Sequence, residues 1–157
     1  MPMSPEQAHA FLEERRLAHF GTVAPDGRPR NRPIWYLWRD GAFWFTTRME
    51  ARHTGSDLTA GSLAAVSVAS EERPYRAVLA RGRPEVWDQD RDALLEAIST
   101  RYGEREGRAW LRGALTEPDR VVLRMVPDEL VAWDYGTGDY RRLNAGESLR
   151  VEAGPGR

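Results

Sequence analysis

The residues best able to do chemistry lie in one short stretch. Thr46 and Thr47 close an apolar run, and Arg48 and Arg52 follow, four apart, with His53 beside the second. If Thr46 and Thr47 end a strand, one hydroxyl points to each face. If the arginines open the next helix, its free amides and dipole already favour an anion, and a guanidinium fork adds charge-assisted hydrogen bonds. His53 can serve such an anion when protonated or as a ring N–H donor. Together these groups could hold a phosphate. Composition alone offers the alternative of two solvated arginines and a solvated histidine on an ordinary helix.

The second chemical feature is aromatic. Trp35, Trp38, Trp44 and Trp133 are dense for 157 residues. Core or subunit-interface packing is the first expectation for Trp38 and Trp44. Trp35 and Trp38 point to opposite faces of one strand, so one of those faces should meet a ligand or another subunit. The stretch therefore suits an aromatic, phosphate-bearing ligand.

Other chemistries lack their residues. All 23 basic residues are arginine, which removes a Schiff-base lysine and a phosphate-loop lysine. There is no cysteine, hence no disulfide framework, thiol nucleophile or thiolate metal site. His9, His19 and His53 are scattered without metalloprotease spacing, and no metal is expected. No serine elbow or glycine-rich dinucleotide loop is present, and Gly136-Thr137-Gly138 is too short to be one. A net charge of -1 argues against nucleic acid and anionic membranes. With 41% apolar and 30% charged residues and no membrane-length apolar run, the expectation is a soluble, cytoplasmic protein.

The elements that must position these groups follow from pattern. Ser4-Pro5-Glu6-Gln7 reads as a capped helix start, with Ala8, Phe11 and Leu12 on one stripe and an end near Arg16. Strands are predicted over 17–23, through Ile34 to Trp38, over 42–47 and 63–69, along a run from Arg76 to Trp87 bent at Gly82, over 121–126, and from Leu130 to Trp133. Pro29 and Pro33 place their strand at an edge or bulge. Arg48 to Leu58 reads as a short helix. A second is capped by Asp90 and stopped by Gly103, with Ala93, Leu94, Ala97 and Ile98 on its stripe, and a third piece holds Trp110, Leu111 and Leu115. Pro127-Asp128 reads as a turn. Six or seven strands joined by short turns argue for a mainly β, closed or partly open antiparallel barrel with added helices. Residues 1–140 would form one domain, with 141–157 a polar C-terminal tail.

The order GTV-PDGRP-RPIWYLW-DG-FWFTTRMEARH, then PYRAVLARGRPEV, then VVLRMVPDELVAWDYG, resembles the pyridoxamine 5'-phosphate oxidase-like split β-barrel family, in particular its small flavin- and deazaflavin-dependent oxidoreductases. The resemblance covers roughly Leu17 to Gly136. It implies a homodimeric, Greek-key split barrel of the FMN-binding type, with a cofactor at each subunit interface, either FMN or the deazaflavin F-420. Carried over by position, Arg32, Pro33 and Trp35 would border the ring. Thr46 and Thr47 would reach the ribityl chain or phosphate. Arg52 would pair with the phosphate, and Arg76 and Trp133 would approach from the other subunit. Arg28, Arg30 and Arg48 are candidates for an acidic deazaflavin tail. The implied activity is hydride or electron transfer to a small organic substrate; the alternative is a flavin- or haem-binding protein without turnover. Where the family commonly has Ser-Arg-Lys this chain has Ala51-Arg52-His53, and the glutamine of the oxidase members is Ala77. No catalytic acid or base is assigned, although Tyr36 or Tyr75 could serve.

Overall fold

A computed structural model describes residues 1–58, 61–136 and 150–151, with the side chains of 52, 53, 150 and 151 left aside. The elements are helix α1 (Pro5–Glu13), strands β1 (Ala18–Val23), β2 (Pro29–Ile34), β3 (Tyr36–Arg39) and β4 (Ala42–Arg48), the single helical turn α2 (Arg52–Gly55), and strands β5 (Ala64–Ala69), β6 (Arg76–Gly82) and β7 (Glu85–Trp87). Helices α3 (Arg91–Thr100) and α4 (Glu104–Ala114) follow, then β8 (Arg120–Met125), β9 (Pro127–Asp134) and β10 (Arg150–Val151). Every strand pair is antiparallel. The strands form a six-stranded sheet, β10-β9-β6-β5-β1-β2, and a four-stranded sheet, β3-β4-β8-β7. This mainly antiparallel β architecture with three full helices fits the expected split barrel.

The predicted strands are often two strands each, because the chain changes sheets at corners. Ile34 to Trp38 breaks at Trp35, the run from Arg76 to Trp87 breaks after Gly82, and β8 passes into β9 through Val126. Pro127-Asp128 accordingly begins β9 and is not a turn. Two corners touch: a Cβ on Gly82 would lie 2.7 Å from the Val126 carbonyl oxygen, so only glycine fits. The pairing register shifts at the same place, between Arg81 and Gly82.

The main core lies between the sheets. Phe20, Val66, Val78 and Leu130 face Tyr36, Phe43, Phe45, Leu123 and Met125, and α1 closes one side with Ala8, Phe11 and Leu12. The capping box at Ser4 and Gln7 forms as expected. A second core fills the other face of the four-stranded sheet, where Ala42, Trp44 and Val122 meet Leu94, Leu95 and Ile98 of α3. Trp35 and Leu37 pack there too. The face expected to meet a ligand or another subunit is therefore covered by this chain's own helices.

Three local expectations change. Helix α3 buries Leu94, Leu95, Ile98 and Ser99, with Ala93 exposed, so its stripe is turned by one position. Asp90 precedes it with φ 51° and makes no side-chain cap bond. The helix expected from Arg48 shrinks to one turn at 52–55, and Arg48 is the last residue of β4. The tail at 141–157 lies outside the described residues except for β10, which pairs with Val131 and Leu130 of β9. No helix among the described residues is long and apolar enough to cross a membrane.

Candidate functional site

The ten predicted site residues fall into three groups. The first gathers where the segment after β4 reaches back across the barrel. Strand alternation turns Thr46 and Thr47 to opposite faces, both buried, as expected. Thr47 Oγ1 accepts from Thr54 Oγ1 of α2 at 3.2 Å. Two residues past α2, Asp57 is buried and accepts from Thr22 Oγ1 of β1 at 2.8 Å, Arg30 Nη1 of β2 at 2.7 Å and Ser56 Oγ at 3.0 Å. This segment thus ties the four-stranded sheet to the six-stranded one. Arg32, two residues along β2 from Arg30, donates from Nη2 to Thr22 Oγ1 at 3.4 Å and lies 6.0 Å from the Phe20 ring.

This group sets one buried carboxylate among two partly buried guanidinium groups. Burial alone would raise the Asp57 pKa, but the hydrogen bonds from Thr22 and Ser56 and the charges of Arg30 and Arg32 hold it below the usual carboxylate range. Arg32 has its pKa lowered by burial, partly offset by Asp57. Its Nη1 is buried and has no hydrogen-bond partner. A buried cationic donor without an acceptor is costly unless something anionic meets it.

The second group does not point at a common ligand. Trp35 stacks flat on Tyr102 with centroids 4.7 Å apart, and touches Trp110 at 5.6 Å. The Tyr102 hydroxyl braces the corner beside it, accepting from Tyr36 N at 3.0 Å and donating to Arg16 O at 2.7 Å. Arg48 makes a two-pronged ion pair with Glu117, Nε to Oε2 at 3.1 Å and Nη2 to Oε1 at 2.5 Å. Thr46 Oγ1, on the face turned toward α3, is buried without a partner.

The third group lies at the far end of the six-stranded sheet. Arg76 points inward and grips Glu14 with Nη1 and Nη2, at 2.7 and 3.1 Å, over the Phe11 ring. Trp133 is paired across the ladder with Ala77, and its buried Nε1 has no partner. Pro33 stands apart from these two, exposed on edge strand β2 next to Arg32. The side chains of Arg52 and His53 lie outside the described residues; their backbone begins α2. Tyr36 buries its hydroxyl as a donor to Leu12 O at 2.8 Å, and burial pushes its pKa upward, which suits packing rather than proton transfer.

Sequence reasoning missed Asp57, Thr22 and Thr54. Asp57 and Thr22 are 35 residues apart, and no periodicity announces a pair joined only by sheet closure. It also missed a shallow trough of about 650 Å³ on the outer face of the six-stranded sheet, lined by His19, Gly21, Ala65, Ser67, Leu79 and Val131 among others. None of the ten predicted residues lines it.

Solved structures with this architecture are numerous. One is an F420 reductase, 24% identical over 81% of this chain and 98% of its own, with a TM-score of 0.64. A conserved hypothetical protein of Mycobacterium tuberculosis is 20% identical over 97% and 94%, TM-score 0.69. The haem storage protein HutZ of Vibrio cholerae is 19% identical over 83% and 94%, TM-score 0.62. At these identities the likeness concerns the fold. No curated protein matches in sequence. The family model described as pyridoxamine 5'-phosphate oxidase matches residues 4–134, from the cap of α1 to the end of β9, and the chain belongs to that family.

Proposed function

We propose that the chain is an oxidoreductase that binds FMN or the deazaflavin F-420 and acts on a small organic substrate as a homodimeric split barrel. The observation that carries this reading is the unpartnered, buried Arg32 Nη1, beside the segment that carries Arg52. A phosphorylated cofactor supplies the acceptor this cation lacks. Thr47 and Thr54 offer hydroxyls at the start of the same segment. When bound, the ring supplies hydride or electron transfer, so the protein needs no nucleophile of its own. Arg32 and Arg52 would bind and orient the anionic end, while Pro33 beside the corner at Trp35 would border the ring. Residues 1–140 act as one unit, and Arg76 and Trp133 belong to the half of the site completed by the second copy.

The homodimer has its own support. Leu79 is 46% exposed and Leu63 54% exposed on the outer face of the six-stranded sheet, next to Val131 and Ala65. An apolar sheet face of this kind is ordinarily covered. A twin sheet would cover it.

The test is a visible spectrum of the purified protein, followed by titration with FMN, F-420 and haem. Saturable binding of FMN or F-420, and reoxidation of the reduced cofactor by an added acceptor, are the expected results. Absence of binding by either removes the proposal. A second reading, a carrier of flavin or haem without turnover, is favoured by one contact: Arg48 is already engaged by Glu117, so one expected anion donor is taken. Binding without any reoxidation would establish that reading instead.

A further inference from the structure

The group that stands out once the proposed roles are assigned is Asp57, a fully buried carboxylate that touches no proposed ligand position. Its contacts form a directed chain. Arg30 Nη1 donates to Oδ1, and Thr22 Oγ1 donates to Oδ2. Thr22 has a single hydroxyl proton, and Asp57 takes it. The lone pairs left on Thr22 Oγ1 therefore face the donor on its other side, which is Arg32 Nη2. A carboxylate at 57 in this way decides which nitrogen of Arg32 is held and which is left over. The nitrogen left over is the buried Nη1.

We infer that Asp57 is a positioning residue which, through the Thr22 hydroxyl, presents Arg32 Nη1 to the anionic group of the bound cofactor. This deepens the proposed function and rests on it. The physical need is plain. Two guanidinium groups on alternate positions of β2 repel one another, and a free Arg32 would swing toward water. Asp57 neutralises Arg30 and anchors Arg32 through a neutral hydroxyl, so the second cation stays in place without being paired away. Binding then does not have to bear the cost of ordering that side chain.

The experiment compares a phosphorylated ligand with its core lacking phosphate in the full chain: FMN against riboflavin, and F-420 against its deazaflavin core. The readout is the ratio of the two dissociation constants within whichever pair the wild type binds. Asp57→Asn keeps the shape but removes the charge, and Thr22→Val removes the relay. Each is expected to lower the preference for the phosphorylated ligand by about tenfold while the core's affinity stays within about twofold. Thr22→Ser, which keeps the hydroxyl, should retain the preference. If Asp57→Asn fails to fold, the Thr22 pair decides alone.

An unchanged ratio in Asp57→Asn or Thr22→Val, with only the melting temperature lowered, overturns the inference and leaves the proposed function standing. Equal losses for phosphorylated ligand and core also overturn it, since they place Arg32 at the ring. A wild type that binds none of the four ligands refutes the proposed function itself, and the inference with it.

Discussion

Arg52 and Asp57 hold different roles in the proposed site, one binding and one positioning, and that difference sets what each substitution should do. Arg52→Ala is expected to weaken binding of FMN or F-420 by about 1.5–3 kcal/mol, the worth of a hydrogen bond to a charged group, as read by a fluorescence titration. Unchanged affinity would take Arg52 out of the site. Asp57 predicts a pH dependence instead. Its folded pKa lies below its unfolded value, so the stability it contributes is complete above the ordinary carboxylate pKa of about 3.9 and is lost as pH falls toward the lower folded value. Melting curves between pH 6 and 3 should therefore fall more steeply for the wild type than for Asp57→Asn. Parallel curves would mean that the fold does not lower the Asp57 pKa. The turning of Thr46 and Thr47 to opposite faces was legible in sequence because it follows from alternation along one strand. Asp57 was not, because its partners Thr22 and Arg30 arrive from another sheet.

At the scale of elements, what fixes the fold is where strands change sheets and how closely the helices cross. Sequence pattern located nearly every strand but joined those that turn a corner, since a side chain at a corner keeps the alternation of a continuous strand. Trp35 is the clearest case: its apolar neighbours read as two-faced burial, and the structure supplies the second face from α3 and α4. Those two helices cross at Gly107, where a Cβ would lie 2.2 Å from the Ser99 carbonyl oxygen. Backbone cannot yield there cheaply. Gly107→Ala should destabilise the protein by about 1–3 kcal/mol, seen as a lower urea midpoint with little change in slope. Gly113→Ala, with open space around its Cβ position, should leave the midpoint unchanged or raise it. Equal midpoints for Gly107→Ala and the wild type would show that α3 and α4 are not held at this crossing.

At the scale of the whole molecule, the two faces of the six-stranded sheet divide the labour. The inner face closes the core, and the outer one presents Leu79 and Val131 beside the ion pair of Arg81 and Glu129. Leu79→Arg should leave the core intact and convert the proposed dimer to a monomer, halving the mass measured by light scattering at micromolar concentration. An unaltered mass would move the contact elsewhere. The rim of that sheet has a different consequence. Strand β2 is its last strand, and Pro29 and Pro33 deprive that rim of two amide hydrogens. A foreign strand cannot zip onto it, so runaway fibre growth is blocked along that border. Copies of this protein are thereby kept from joining edge to edge along β2 into endless ribbons.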